Sequence, residues 1–278
     1  MYNIKRIGCG IGSHGSDRFL IKNRRYDMTN GCISIDRILS KLDEYLHKND
    51  YVSAERHLVY WLSEASGAGD FRTELLVRNE LMGLYRKLGQ ESDAVGCAEA
   101  ALSLVETHNL GEQVGSATTY LNAATVYKAF GRAADGLPLF ERAREIYERE
   151  LELSDGRLGG LYNNMGLALV DIGRFREAEE CYRKAVSVME QTEEGLLEVA
   201  ITYLNMASAA EAEHGLEASA ETIEELLEKA EALLENHQKR DGYYAFVCEK
   251  CASVFGYYGH FFYADELKKR AGRIYEGA

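Results

Sequence analysis

Apolar positions recur at helical spacing along this chain, and the block they form is written more than once. The clearest copy is "LYNNMGLALVDIGRFREAEECYRKAVSVME", from Leu161 to Glu190. In it a small residue, Gly166, is followed three positions later by bulky Leu169, then by a turn glycine, Gly173, and an aromatic, Phe175. Ala178, Tyr182 and Ala185 complete the block. Such spacing on either side of a glycine predicts two amphipathic helices joined by a tight turn. Sliding the template along the chain places its first small position at Leu42, Met82, Ala124, Gly166, Ala207 and Ala252, between 40 and 45 residues apart. A period of this size means a stacked array in which no unit buries its apolar face alone.

The other template columns agree. The turn glycine returns as Gly89, Gly131, Gly173 and Gly259, with Asn49 in its place in the first copy. The late small position returns as Ala101, Ala143, Ala185, Ala230 and Ala271, with Trp61 in the first copy. The step from a small residue to the one four positions on reads Ala54/Leu58, Ala94/Ala98, Gly136/Phe140, Ala178/Tyr182 and Ala264/Lys268. This order of small, large and turn positions resembles the tetratricopeptide repeat. The resemblance implies an all-α, right-handed α-solenoid of six helix-turn-helix repeats, near 35–68, 75–108, 117–150, 159–192, 200–241 and 245–278. The spacing exceeds the family's minimal unit of about 34 residues. The surplus falls after each second helix, so second helices about two turns longer than the minimal ones are expected. Kinesin light chains and related bacterial repeat proteins are similar in period and in the start of the first helix. Copy five departs from the pattern, with extra residues from His214 to Glu221 in its turn. The one proline, Pro138, is expected near the start of a second helix, where a missing N–H costs little.

Composition narrows the function classes. The chain has 278 residues, 46% apolar and 28% charged, with a net charge of −13. No run approaches the length of a membrane helix, and the N-terminus carries no apolar signal core, so a cytoplasmic chain is expected. Six scattered cysteines do not form a disulfide framework. The acidic surface disfavours nucleic acid, which needs clustered cations. Copy five is especially acidic, with nine glutamates from Glu211 to Glu235, most simply a solvated helix face.

Residues 1–27 stand apart as an irregular basic segment with six Lys or Arg against two Asp. Gly10, Gly12 and Gly15 match the dinucleotide fingerprint formally, but no βαβ unit surrounds them, so a chance match is expected. Arg24-Arg25 lies just before Met28, which suggests a translation start at Met28 with Ser34 capping the first helix.

The search for chemistry finds no active site. "CEKC", Cys248 and Cys251, lacks a second ligand pair, and both positions face a neighbouring helix, so they are expected in the core. The seven histidines are dispersed, and none stands beside a nucleophile at a catalytic spacing. No cofactor and no metal site is expected. What recurs without a packing reason is asparagine. Asn122, Asn164 and Asn205 hold one position of three consecutive first helices, although asparagine is a poor helix-interior residue. Two roles fit. Each amide ties a first helix to its neighbour, or the row reads the backbone of an extended peptide, as the resemblance to kinesin-light-chain repeats implies. On the second role the groove would be lined by Asn79, Arg86, Lys87, Asn122, Lys128, Asn163, Asn164, Asn205 and Ser208.

These features point to a non-catalytic scaffold that binds a protein or extended peptide segment in a concave groove. Cations at copies two and three favour an acidic stretch in the partner. A peptide-sensing regulator acting on a separate output protein is the alternative. The expected oligomeric state is a monomer or a weak homodimer, with neither nucleic acid nor membrane as partner.

Overall fold

The structure, a computed structural model, describes residues 34–192 and 195–277. Residues 1–27, with the proposed start at Met28, lie outside them. The described residues form twelve helices and no strand. They run α1 Ile35–His47, α2 Tyr51–Ala68, α3 Phe71–Leu88, α4 Glu91–Thr107, α5 Val114–Ala129 and α6 Ala133–Glu150. The series continues with α7 Gly156–Asp171, α8 Phe175–Met189, α9 Gly195–His214, α10 Ala220–Asn236, α11 Gly242–Tyr257 and α12 Phe261–Glu276. The chain divides into two compact units at residues 151 and 152. Helices α1–α6 make three pairs in the first unit, and α7–α12 make three in the second. Six helix pairs of this kind are the α-solenoid fold class that the repeat implied. No described helix is long and apolar enough to cross a membrane.

Local chemistry explains where the helices begin and end. Asp50, Asp70, Asp155 and Asp241 each accept from a backbone N–H of the first turn that follows, at 3.0 to 3.2 Å. A carboxylate there satisfies donors that the helix leaves open. Ser34 holds the N-cap position of α1 but its side chain makes no capping bond, contrary to expectation. The turns inside the pairs share a left-handed residue: Asn49, Gly89, Gly131, Gly173, Gly215 and Gly259 all have positive φ. Glycine adopts that conformation without a Cβ penalty, and asparagine is the usual substitute.

Three details differ from the sequence reading. Second helices span 15 to 18 residues, yet the first helices α3, α5, α7, α9 and α11 span 16 to 20. The long period is therefore shared, because first helices start upstream of the template. The additional residues of copy five extend α9 to His214 before a turn at Gly215. Pro138 lies in the sixth position of α6, beyond the open first turn. It is exposed, so water can reach the carbonyl that it leaves without a helical donor.

Each unit has its own core. In the first, Ile38, Leu42, Leu58, Val77, Leu81, Met82 and Tyr85 pack with Ala94, Ala98 and Ala101. In the second, Leu197, Ile201, Leu204, Leu227, Leu234, Tyr244, Val247 and Phe255 pack with Ala230, Ala264 and Ala271. Helices approach closely at the small template positions Gly136 and Gly166. A Cβ on Gly136 would stand 2.8 Å from the Ala124 carbonyl oxygen, and one on Gly166 would stand 2.6 Å from the Tyr182 ring. Cys248 and Cys251 are fully buried in the second core, and burial pushes the Cys248 thiol up to about 11. They act as small apolar residues.

Candidate functional site

Four of the five asparagines expected in the groove form two pairs, one in each unit. In the first unit, Asn122 on α5 donates through Nδ2 to Asn79 Oδ1 on α3 at 2.9 Å. Asn79 in turn donates to Thr119 Oγ1 at 3.0 Å and to the Leu75 carbonyl at 2.8 Å. Both N–H bonds of Asn79 and its oxygen are thereby engaged. In the second unit, Asn205 on α9 donates to Asn163 Oδ1 on α7 at 3.1 Å. The two pairs occupy the same register. The acceptor sits three residues before the first small position of its copy, and the donor two residues before that of the next. Asn164, at the donor register, bonds to Gly160 of its own helix at 2.9 Å.

Burial separates the pairs. Asn79 and Asn122 are half-buried, whereas Asn163, Asn164 and Asn205 are 0, 2 and 2% exposed. A buried amide must find its partners inside the protein. The expectation that Asn163, Asn164 and Asn205 line an open groove is therefore corrected: they are interior groups, and Asn163 and Asn205 tie two first helices together. Ser208 is half-buried and donates to the Leu204 carbonyl at 3.2 Å, a bond within its own helix.

The cationic positions are more accessible. Arg86 and Lys128 fall at one register position of α3 and α5, in the last turn of each, and both are half-buried. Lys87 is exposed, with Nζ 4.6 Å from the centre of the Tyr51 ring. With Asn79 and Asn122 they form the candidate recognition residues of the first unit.

The second unit carries a polar system that the sequence did not single out. Glu211 accepts from Tyr257 at 2.7 Å and from Tyr258 at 2.8 Å, and Glu198 accepts from Tyr243. Glu235 accepts from Tyr263 at 2.8 Å and from Arg270 Nη1 at 2.6 Å, while Arg270 Nε also reaches Glu266 at 3.0 Å. Burial opposes ionisation of Glu235, but the bonds from Arg270 and Tyr263 outweigh it and hold its carboxyl below the usual range. Arg270 turns inward to meet Glu235, whereas Lys268 and Lys269 on the same helix are exposed. Its partner Glu235 lies on α10, 35 residues away, so no local spacing announces it.

No described arrangement resembles a catalytic set. Among the described residues, no three His, Cys, Asp or Glu side chains are placed to hold one metal ion. A crevice of about 280 Å³ beside α9 and α10 is lined by Leu196, Tyr203, Lys229, Ala232, Leu233, Asn236 and His237. His237 is buried and stacked on Tyr244, with ring centres 5.8 Å apart.

Comparison with known proteins places this geometry. Residues 115–191 match the tetratricopeptide repeat family. BtubC (BKLC) from P. vanneervenii has a similar structure, with a TM-score of 0.62 at 18% identity, over 74% of this chain and 82% of that one. A Podosopora anserina protein with nearly identical, kinesin-light-chain TPR-like repeats is similar at a TM-score of 0.51 and 19% identity, over 72% and 94% of the two chains. No curated protein matches by sequence. At such identities the likeness is one of fold, and it extends the repeat architecture beyond the residues matched by sequence. The described helix pairs thus share the fold of tetratricopeptide repeat proteins, and residues 115–191 match that family by sequence.

Proposed function

We propose that this chain is a non-catalytic scaffold that binds an extended, acidic stretch of a partner protein through the first unit. Tetratricopeptide folds generally mediate protein–protein interaction, and their repeats serve as scaffolds. The observation that carries the finer reading is the recurrence of Arg86 and Lys128 at one register position of successive first helices, with exposed Lys87 beside them. Cations at one register position of two successive first helices suit carboxylates spaced along an extended chain. The half-buried Asn79–Asn122 pair lies on the same two helices and fixes their spacing. In this reading the asparagines set the geometry and the cations select the ligand, so recognition requires no bond-making step.

Binding of fluorescent glutamate-rich and lysine-rich peptides to the full chain tests this. The glutamate-rich peptide should bind preferentially, and more weakly as salt is raised. The triple substitution Arg86→Glu, Lys87→Glu, Lys128→Glu should weaken it by at least about tenfold, with helicity unchanged. Equal binding of both peptides, or no effect of the triple substitution, would refute the proposal.

A further inference from the structure

The last repeat exposes an aromatic edge that packing does not explain. At the turn between α11 and α12, Phe262 is 95% exposed, Phe261 67% and Tyr257 47%, and Leu216 at the turn between α9 and α10 is 53% exposed. Elsewhere in this unit aromatic rings such as Tyr244 and Phe255 are fully buried. The two turns are joined directly: Tyr257 and Tyr258 both donate to Glu211 at the end of α9, and His260 lies 3.2 Å from Glu224 on α10. Clustered apolar side chains left in water mark interaction surfaces, whereas a single one needs no explanation.

The surroundings of this patch specify its partner. From Glu211 to Glu228 there are seven glutamates and no lysine or arginine, and from Tyr257 to Leu267 again no lysine or arginine occurs. Glu213, Glu217 and Glu224 are exposed. The edge therefore presents apolar rings within a field of carboxylates, with no fixed cation among these residues. Arginine suits both features, because its guanidinium stacks on aromatic faces and pairs with carboxylates through a planar fork. Leucine-sized side chains would cover Phe261 and Phe262.

We propose that the α9–α12 edge of the second unit is a docking surface for a basic protein segment in which arginines alternate with apolar residues. It is separate from the first-unit residues assigned to acidic ligands, and it selects the opposite charge. The two surfaces would let one chain hold two unlike partners.

The test uses the full chain and a short fluorescent peptide of alternating arginine and leucine. Two controls replace arginine by glutamate or leucine by serine. The arginine–leucine peptide should bind at least about tenfold more tightly than either control, since neither charge nor apolar area suffices alone. Phe261→Ser with Phe262→Ser, and separately Glu213→Lys with Glu217→Lys, should each lower its affinity by about tenfold or more. All four positions are exposed, so melting should stay as in the wild type. Binding by the serine control as tight as by the parent peptide would overturn the proposal, as mere charge attraction. So would wild-type affinity in both variants. Concentration-dependent self-association that disappears in the phenylalanine variant would also overturn it, by showing that a second copy covers the patch.

Discussion

The two units solve one problem twice and then diverge. Each joins two successive first helices by an asparagine pair in identical register, at 2.9 Å in the first unit and 3.1 Å in the second. The first pair is half-buried, while the second is shut inside a core. The units also differ in how they treat charge. The first presents Arg86, Lys87 and Lys128 on successive first helices. The second ties Glu198, Glu211 and Glu235 to tyrosine hydroxyls and gathers Glu235 and Glu266 around Arg270. The repeat register thus decides where a side chain leaves the helix. Neighbouring side chains decide whether that position is shut inside the array or stays partly open to solvent.

The largest expected effect concerns the close approaches. Gly136 in the first unit faces the backbone of Ala124, which cannot step aside, whereas Gly166 in the second faces only a side chain, the buried Tyr182 ring. Gly136→Ala should destabilise by about 3 kcal/mol and Gly166→Ala by nearer to 1 kcal/mol, within the range for overpacked cores. Chemical denaturation of both variants checks this, and equal losses would show that ring and backbone are equally yielding. Next in size are the asparagines. Asn163→Ala leaves Asn205 buried without its acceptor and should cost about 1–3 kcal/mol. In Asn79→Ala water can replace the lost acceptor, so the cost should fall to about 0.5–1.5 kcal/mol. Equal costs would mean that burial does not separate the pairs. The smallest effect is a pH response. The depressed carboxyl of Glu235 contributes stability that is present above its unfolded value and lost as pH falls through its lower folded value. Arg270→Ala removes the bond that depresses it, so the drop in melting temperature between neutral and acid conditions should shrink in that variant. An unchanged drop would place the acid sensitivity elsewhere.

Particular residues show how much of this was legible. Gly89, Gly131, Gly173 and Gly259 were assigned to turns by spacing, and all four have positive φ, because few residues tolerate that conformation. Ala178 and Tyr182, paired by the template, are both buried. The asparagines were noticed because they recur, but the row predicted from their spacing became pairs. Asn205 meets Asn163, one residue away from the repeat-equivalent Asn164, and a one-dimensional period does not resolve an offset of one residue between facing helices. The links of Tyr257 to Glu211 and of Arg270 to Glu235 escaped notice, since they span 46 and 35 residues and match no local rule. Pro138 is expected near the start of a second helix and stands at its sixth residue, because a pattern locates a helix better than its first residue.

The amino-acid order alone determined the helix pairs, their turns and their close contacts. Those features rest on short-range sterics: the spacing of small and large side chains, and glycine where φ is positive. Tertiary structure decided which polar groups became interior and which stayed available, the paired Asn163 and Asn205 on one side and the uncovered Phe261 and Phe262 on the other. Burial belongs to the space between elements, and a hydrogen bond across that space depends on distances that no stretch of sequence contains.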